Sequence, residues 1–155
     1  MSIVVPPKIF SKALLLILTG GIIPLCLTSL ISAFDSEIQT IIQEKYQLEE
    51  LNFIFCSDNY LLKINKEYLN HDTYTDIITF DNSSLPHEII GDIFISIDRV
   101  KENAKSFDTT FINELNRVII HGVLHLLGYT DKTKKDKGLM TEKEDFYLLK
   151  FKEAQ

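Results

Sequence analysis

Two histidines and one aspartate stand in this chain at a spacing that suits a metal ion. His121 and His125 lie four residues apart in an apolar stretch that begins near Phe111. Residues four apart share one face of a helix, with Cβ atoms about 5–6 Å apart, so both imidazoles can bind one ion. Gly128 permits the left-handed turn that commonly ends a helix, and the chain can then return Asp131 as a third ligand.

The number of these donors indicates a catalytic zinc site. Such sites usually have three protein ligands and one open position, whereas structural zinc sites usually have four protein ligands. The pattern H-x-x-x-H-x-x-G-x-x-D has the ligand spacing of the metzincin proteases. A pair of histidines without the residues that follow would more often bind carbonyl groups or water. We therefore expect one Zn²⁺ ion bound by His121, His125 and Asp131.

The residue after the first histidine argues against a protease. H-E-x-x-H proteases have a glutamate there, which takes a proton from water, and this chain has Gly122. The site therefore lacks the usual base for peptide hydrolysis. The sequence assigns no other general base and no nucleophile.

Length and composition favour one enzyme domain without a broad basic surface. The 155 residues, of which 45% are hydrophobic, are sufficient for one core. A net charge of -6 argues against a protein that wraps nucleic acid with a large basic face. A local contact with phosphates could instead use four lysines that directly follow the motif, and the alternative is a solvated loop. These lysines are Lys132, Lys134, Lys135 and Lys137.

The spacing of apolar residues and turn residues predicts the elements that position this motif. The predicted helices are Ser36–Tyr46, Asn59–Leu69, Arg99–Phe107, Phe111–Leu127 and Thr141–Phe151, and the predicted strands are Leu51–Cys56, Asp76–Phe80 and Gly91–Ile97. This order indicates an α+β fold in which a small mixed β-sheet packs with helices. The central helix of that fold carries the two histidines.

The N-terminal segment differs in composition from the rest of the chain. Ala13–Phe34 contains no charged residue, follows Lys8 and Lys12, and is long enough to cross a bilayer. It could be a divergent first strand and helix, a fused anchor or a leader. We expect residues 1–34 to be an atypical apolar segment and residues 35–155 to form the domain that carries the motif, without membrane association.

Three segments of the chain resemble one known family. The run His121–Tyr129 is similar to the signature of the YbeY family, which comprises zinc-dependent endoribonucleases of bacterial ribosomal RNA maturation. Thr75–Phe80 looks like the T-D-V-L-S-F strand of that family, and Gly91–Ser96 looks like its G-D-I-x-I-S strand. The segments occur in the family's order, and the resemblance covers approximately Asn52–Glu144.

Two of the departures from the family pattern concern residues with a functional role, and a third, Tyr74 in place of a common proline, is structural. The family usually has a histidine where this chain has Asp131, and an aspartate is acceptable there because carboxylate oxygen binds zinc at about 2.0–2.2 Å. Many members also carry an arginine that is a candidate phosphate contact, and this chain has Leu69 at the matching position. The role of that arginine therefore does not transfer to this chain.

The resemblance implies a ribonuclease-like domain over residues 35–155. The expected activity is metal-dependent, single-strand-specific cleavage of RNA in 16S rRNA 3′ end processing and ribosome maturation, in the cytoplasm. The expected partners are precursor rRNA, the small ribosomal subunit and a ribosome-assembly GTPase. A zinc ion at this site could polarise a phosphoryl oxygen or lower the pKa of water to about 7.

Two other functions also fit parts of the sequence. A zinc metalloprotease-like hydrolase is favoured by the ligand spacing and opposed by Gly122. A membrane-tethered, non-catalytic metal-binding module is favoured by Ala13–Phe34 and by Leu69 in place of the arginine.

Five further residues have structural interpretations. Cys26 and Cys56 lack CxxC spacing and indicate neither a redox motif nor a disulfide framework, and we expect Cys56 to be a small buried residue. His71 and His87 lie in predicted loops without metal spacing, so we expect them to be exposed. Glu114, seven residues before the first histidine, is either an acceptor for a ligating imidazole N–H or a surface charge.

Overall fold

The computed structural model of the chain describes residues 15–18, 38, 41–42 and 45–153. The strands are β1 (Leu15–Leu18), β2 (Gln47–Cys56), β3 (Ile77–Asp81) and β4 (Glu88–Ser96), and the helices are α1 (Asp58–Leu69), α2 (Ile97–Ser106), α3 (Phe111–Leu126) and α4 (Lys134–Glu153). Ile38, Ile41 and Ile42, from the predicted helix Ser36–Tyr46, are helical and buried in the core.

The four strands form one mixed sheet in the order β1-β2-β4-β3. β1 and β4 both run parallel to β2, whereas β3 runs antiparallel to β4. Phe53, Phe55, Ile93 and Ile95 of the two central strands are almost fully buried, because the helices cover the sheet. This arrangement confirms the predicted α+β fold with a small mixed sheet.

Helix α3 lies very close to the sheet. A Cβ atom at Gly122 would lie 2.6 Å from Cδ1 of Ile77 and 3.0 Å from Cγ2 of Ile93, and a Cβ at Gly91 would lie 2.7 Å from Cδ1 of Leu126. Real Cβ atoms do not approach other atoms so closely, so these two glycines allow the helix and the sheet to pack at this distance. The helix that carries the histidines is therefore fixed to the core.

The last helix begins earlier than predicted, at Lys134 rather than Thr141. The backbone N–H of Thr133 donates to Asp136 Oδ2 at 3.2 Å, and that of Asp136 donates to Thr133 Oγ1 at 3.1 Å, which satisfies free N–H groups at a helix start. The helical spacing of apolar residues is weak in this region because apolar side chains lie on both the buried and the exposed faces of the helix. Three of the four lysines after the motif therefore lie on α4, and only Lys132 lies in the loop.

The first strand adds to the sheet beside β2, with Leu15 paired to Asn52 and Leu18 paired to Phe55. The remainder of Ala13–Phe34 lies outside the described residues, as does Cys26. Within the part of the chain that the structure describes, no helix has the length and apolar character needed to span a membrane.

Cys56, His71 and His87 have the burial that the sequence predicts. Cys56 is 5% exposed at the end of β2, and burial raises the pKa of its thiol to about 12, with the charges of Asp58 and Asp98 adding to the shift. Such a thiol stays protonated near neutral pH and has a packing role. His71 and His87 are exposed.

Candidate metal centre

The structure brings the three predicted donors together at the end of α3. One ligand atom from each of His121, His125 and Asp131 lies within 4.8 Å of the others, and all three side chains are partly buried. The closest pair is Nε2 of His121 and Nε2 of His125, at 2.9 Å. The i, i+4 spacing on a helix produces this approach, and the chain reversal after the helix supplies the carboxylate.

The reversal is a Schellman turn centred on a glycine. Gly128 has a φ of 87°, and its N–H donates to the carbonyl of His125 at 3.0 Å. The N–H of Tyr129 donates to the carbonyl of Leu124, also at 3.0 Å. These are the two hydrogen bonds of the motif, and the positive φ is the reason that glycine is required.

This turn also orients His125. The carbonyl of Tyr129, which can only accept, lies 2.9 Å from Nδ1 of His125, so Nδ1 carries the proton. Burial lowers the pKa of His125, and the neighbouring His121 lowers it further, so the ring is neutral near pH 7. A neutral ring protonated at Nδ1 leaves the Nε2 lone pair available for a metal ion.

His121 is oriented by a residue from α4. Its Nδ1 lies 2.6 Å from Oε1 of Glu144, whose side chain is 9% exposed. An ionised carboxylate only accepts hydrogen bonds, so Nδ1 of His121 carries a proton and Nε2 faces the neighbouring histidine. Each imidazole thus donates through Nδ1 to a fixed oxygen, which is the usual arrangement for histidines that bind metals.

The donor set fits a divalent metal ion. Two Nε2 lone pairs at 2.9 Å repel each other unless a proton or a metal cation lies between them. Two imidazoles and one carboxylate are typical zinc ligands, and three protein ligands leave a position open. His121, His125 and Asp131 are therefore the residues that could bind such an ion.

A cluster of charged side chains supports Glu144. Arg117, one turn before His121 on the same face of α3, donates to both carboxylate oxygens of Glu114 at 2.9 and 2.7 Å. Its other terminal nitrogen lies 3.6 Å from Glu144 Oε2, and Nη2 also lies 3.5 Å from Asp76 Oδ2. Hydrogen bonding to Glu114 raises the pKa of Arg117 above its ordinary value, and the charges of Glu144 and Asp76 contribute to this shift.

Both interpretations of Glu114 from the sequence were wrong. Glu114 is 2% exposed rather than a surface charge, and its carboxylate binds Arg117 rather than an imidazole. The acceptor for His121 is Glu144, which the sequence does not indicate because the spacing of residues predicts a helix there but not its position against α3. The sequence does contain a signal for Arg117, because it lies four residues before His121 and so shares its helix face.

The environment of Gly122 explains why the glutamate of a protease is missing. A side chain at this position would point at Ile77 and Ile93 in the sheet, and not towards the candidate metal site. A glutamate would bring a charge into an apolar contact that already has no room for a methyl group. The protease interpretation thus lacks both the base and the space for it.

Leu69 has a packing role. It is partly buried against an apolar cluster formed by Cys56, Leu61, Ile64, Ile78 and Phe80. A leucine side chain has neither a charge nor a hydrogen-bond donor, so the phosphate-contact role of the family's arginine has no equivalent in Leu69.

Comparisons with known proteins show which family this chain is similar to. The family model described as Endoribonuclease YbeY matches residues 27–152. An Endoribonuclease YbeY of Cytophaga hutchinsonii is 61% identical over 106 residues, which are 68% of this chain and 74% of the relative. An Endoribonuclease YbeY of Flavobacterium psychrophilum is 58% identical over 111 residues, which are 72% of this chain and 79% of the relative.

A solved structure extends the agreement to the fold. The solution structure of TM1509 from Thermotoga maritima superposes with a TM-score of 0.62 at 27% identity, covering 88% of this chain and 89% of that protein. The family match spans most of the chain and includes β2, β3 and β4 of the sheet, α3 and the candidate metal centre. The resemblance seen in the sequence is thereby confirmed, and the chain belongs to the Endoribonuclease YbeY family.

Proposed function

We propose that this chain is a zinc-dependent endoribonuclease that cleaves single-stranded RNA. The observation that carries the proposal is the convergence of His121, His125 and Asp131, with Nδ1 of each histidine directed away from the centre at an oxygen acceptor. Membership of a family named for endoribonuclease activity supports RNA as the substrate. The more specific role is processing of the 16S rRNA 3′ end in the cytoplasm, together with the small ribosomal subunit and a ribosome-assembly GTPase.

The residues of the site would act by binding and positioning. When bound, zinc supplies Lewis-acid chemistry towards a phosphoryl oxygen and makes water more acidic. The two histidines are held by Glu144 and by the Tyr129 carbonyl, so little reorganisation is needed on binding. The chain reversal leaves Asp131 partly exposed, which gives a substrate access to the centre.

The lysines beside the centre provide a contact for the RNA backbone. Lys132, Lys134, Lys135 and Lys137 are exposed, and no ion pair with another described residue occupies their side chains. They follow Asp131 directly along the chain, so phosphates bound to them would lie near the metal centre. Their charge supplies the local attraction that an acidic protein otherwise lacks.

The proposal is tested with the full-length chain and a labelled single-stranded RNA. We expect about one zinc ion per chain, cleavage of the single strand over its duplex, and loss of cleavage with a chelator. His121→Ala should lose the metal and lower kcat/KM at least about 100-fold, because Lewis-acid assistance contributes several kcal/mol. His71→Ala is the matched control, since His71 is exposed and distant in sequence from the motif.

Two outcomes would contradict the proposal. Cleavage of RNA by metal-free His121→Ala protein would exclude the metal mechanism, and zinc-dependent cleavage of peptides but not RNA would favour the hydrolase alternative. The rRNA role requires cleavage of a precursor that extends beyond the mature 16S 3′ end.

Replacing Lys134 and Lys135 by alanine should weaken RNA binding and reduce its salt dependence, with little effect on zinc affinity.

A further inference from the structure

We propose that Glu144 and Arg117 are positioning residues that make His121 competent to bind the metal ion. Neither residue belongs to the three-donor group. Glu144 fixes the proton of His121 on Nδ1, and Arg117 fixes the orientation of Glu144. This inference rests on the proposed metal site and deepens it by identifying how α4 contributes to it.

The contact between Glu144 and His121 is short and shielded from solvent. The distance from Oε1 to Nδ1 is 2.6 Å, and the two side chains are 9% and 17% exposed. Water therefore competes poorly for either partner, and the hydrogen bond selects one tautomer of the ring. Without this acceptor, the proton could lie on Nε2 instead, where it would block the atom that faces the candidate metal position.

The second oxygen of Glu144 faces Arg117. Nη1 of Arg117 lies 3.6 Å from Oε2, so the carboxylate has an imidazole on one oxygen and a cation near the other. Arg117 is itself held by two hydrogen bonds to the buried Glu114. The guanidinium is planar and rigid, so these bonds determine the direction in which its remaining nitrogen points.

Arg117 also limits the negative charge near the metal site. Three carboxylates, from Asp76, Glu114 and Glu144, surround its guanidinium within 3.6 Å. Without this cation, the three acidic groups would repel one another and Glu144 would lose the counter-charge beside its Oε2 atom. Arg117 therefore holds the Glu144 carboxylate in the position from which Oε1 accepts the hydrogen bond of His121.

The test measures zinc affinity by competition with a chromophoric chelator, using full-length variants. Glu144→Ala should weaken zinc binding about 10- to 100-fold, the effect typical of partners that orient metal-binding histidines. Glu144→Gln should give a smaller loss because its amide oxygen still accepts from Nδ1. Arg117→Lys retains the charge but not the planar fork, and should also give a smaller loss than Glu144→Ala.

Two substitutions separate positioning from general stability. Glu142→Ala removes an exposed glutamate of the same helix and should not change zinc affinity. Arg99→Lys alters a second arginine that is paired with two acidic residues, Asp58 and Glu102, and is exposed to a similar degree. It should lower the melting temperature without weakening zinc binding.

A second measurement does not depend on metal loading or on the variants. Nitrogen-15 NMR of the metal-free wild-type chain should show His121 protonated on Nδ1. A wild-type His121 unprotonated on Nδ1, or a folded Glu144→Ala protein with zinc affinity within twofold of wild type, would overturn the inference. Failure of the wild-type chain to bind zinc would instead overturn the proposed function.

Discussion

The two histidines of the candidate metal centre share one face of α3, yet they are oriented from different parts of the chain. His125 donates to the carbonyl of Tyr129, four residues further along, in the turn that ends its own helix. His121 donates to Glu144, which is 23 residues away on another helix. One support is local in sequence, and the other depends on how α4 packs against α3.

This difference divides the centre into a local half, which is His125 with its turn, and a distant half, which is His121 with Glu144 on α4. The two halves should respond differently to substitutions. The support of His125 forms whenever α3 ends in its Schellman turn, because consecutive residues make all of its hydrogen bonds. The support of His121 forms only when α4 is in place and Arg117 holds Glu144. Metal binding should therefore stabilise the packing of α4 more than the end of α3.

Asp131 should give the largest effect, because it lies between the local turn and α4 and supplies a donor atom itself. Asp131→Ala should weaken zinc binding more than about 100-fold, which exceeds the usual cost of losing a residue that only orients a ligand. Chelator competition measures this change. Asp131→His is the matched variant, because imidazole also binds zinc, and it should retain most of the affinity. Unchanged zinc affinity in Asp131→Ala would reduce the centre to two histidines.

Gly122 tests whether α3 carries both histidines as one rigid unit. Gly122→Ala places a methyl group 2.6 Å from Cδ1 of Ile77, and should cost about 1–3 kcal/mol of unfolding free energy, as overpacking does. Denaturant unfolding of the wild-type and Gly122→Ala proteins measures this change in free energy. Because both histidines would shift with α3, zinc affinity should fall less than after Asp131→Ala.

A compensating substitution makes this prediction specific. Ile77→Val removes the Cδ1 atom that the new methyl group would meet. Gly122→Ala combined with Ile77→Val should therefore be less unstable than the sum of the two single changes, which is the coupling expected for residues in contact. Additive effects would show that the contact at Ile77 does not cause the destabilisation.

The local half of the centre was largely predictable from the sequence. The spacing of His121, His125, Gly128 and Asp131 reports a helix face followed by a turn, and both depend on neighbouring residues. The strands around Ile93 and Ile78 were also predicted, since alternating or continuous apolar residues show them directly.

The distant half was not predictable in the same way. Helix α4 has weak helical spacing because some of its apolar side chains, such as Met140, are buried, whereas others, such as Phe146 and Leu149, are exposed. Its start was therefore missed, and the contact between Glu144 and His121 has no signature in the spacing of residues. Contacts between separate helices depend on their packing, which one sequence without related sequences does not reveal.

Gly128 should give the smallest effect, confined to the local support of His125. Its φ of 87° is unfavourable for other residues, and no atom lies within 4 Å of a Cβ built there, so Gly128→Ala tests the backbone alone. The substitution should cost about 1–2 kcal/mol of unfolding free energy and weaken zinc binding only a few-fold, as the Tyr129 carbonyl shifts from Nδ1 of His125. Gly138→Ala is the matched control, because Gly138 has equal space but lies within α4, where alanine should stabilise the chain by about 0.5–1 kcal/mol. If both alanine variants were equally stabilised in thermal unfolding, the turn would not depend on the left-handed glycine, and the local support of His125 would need another origin.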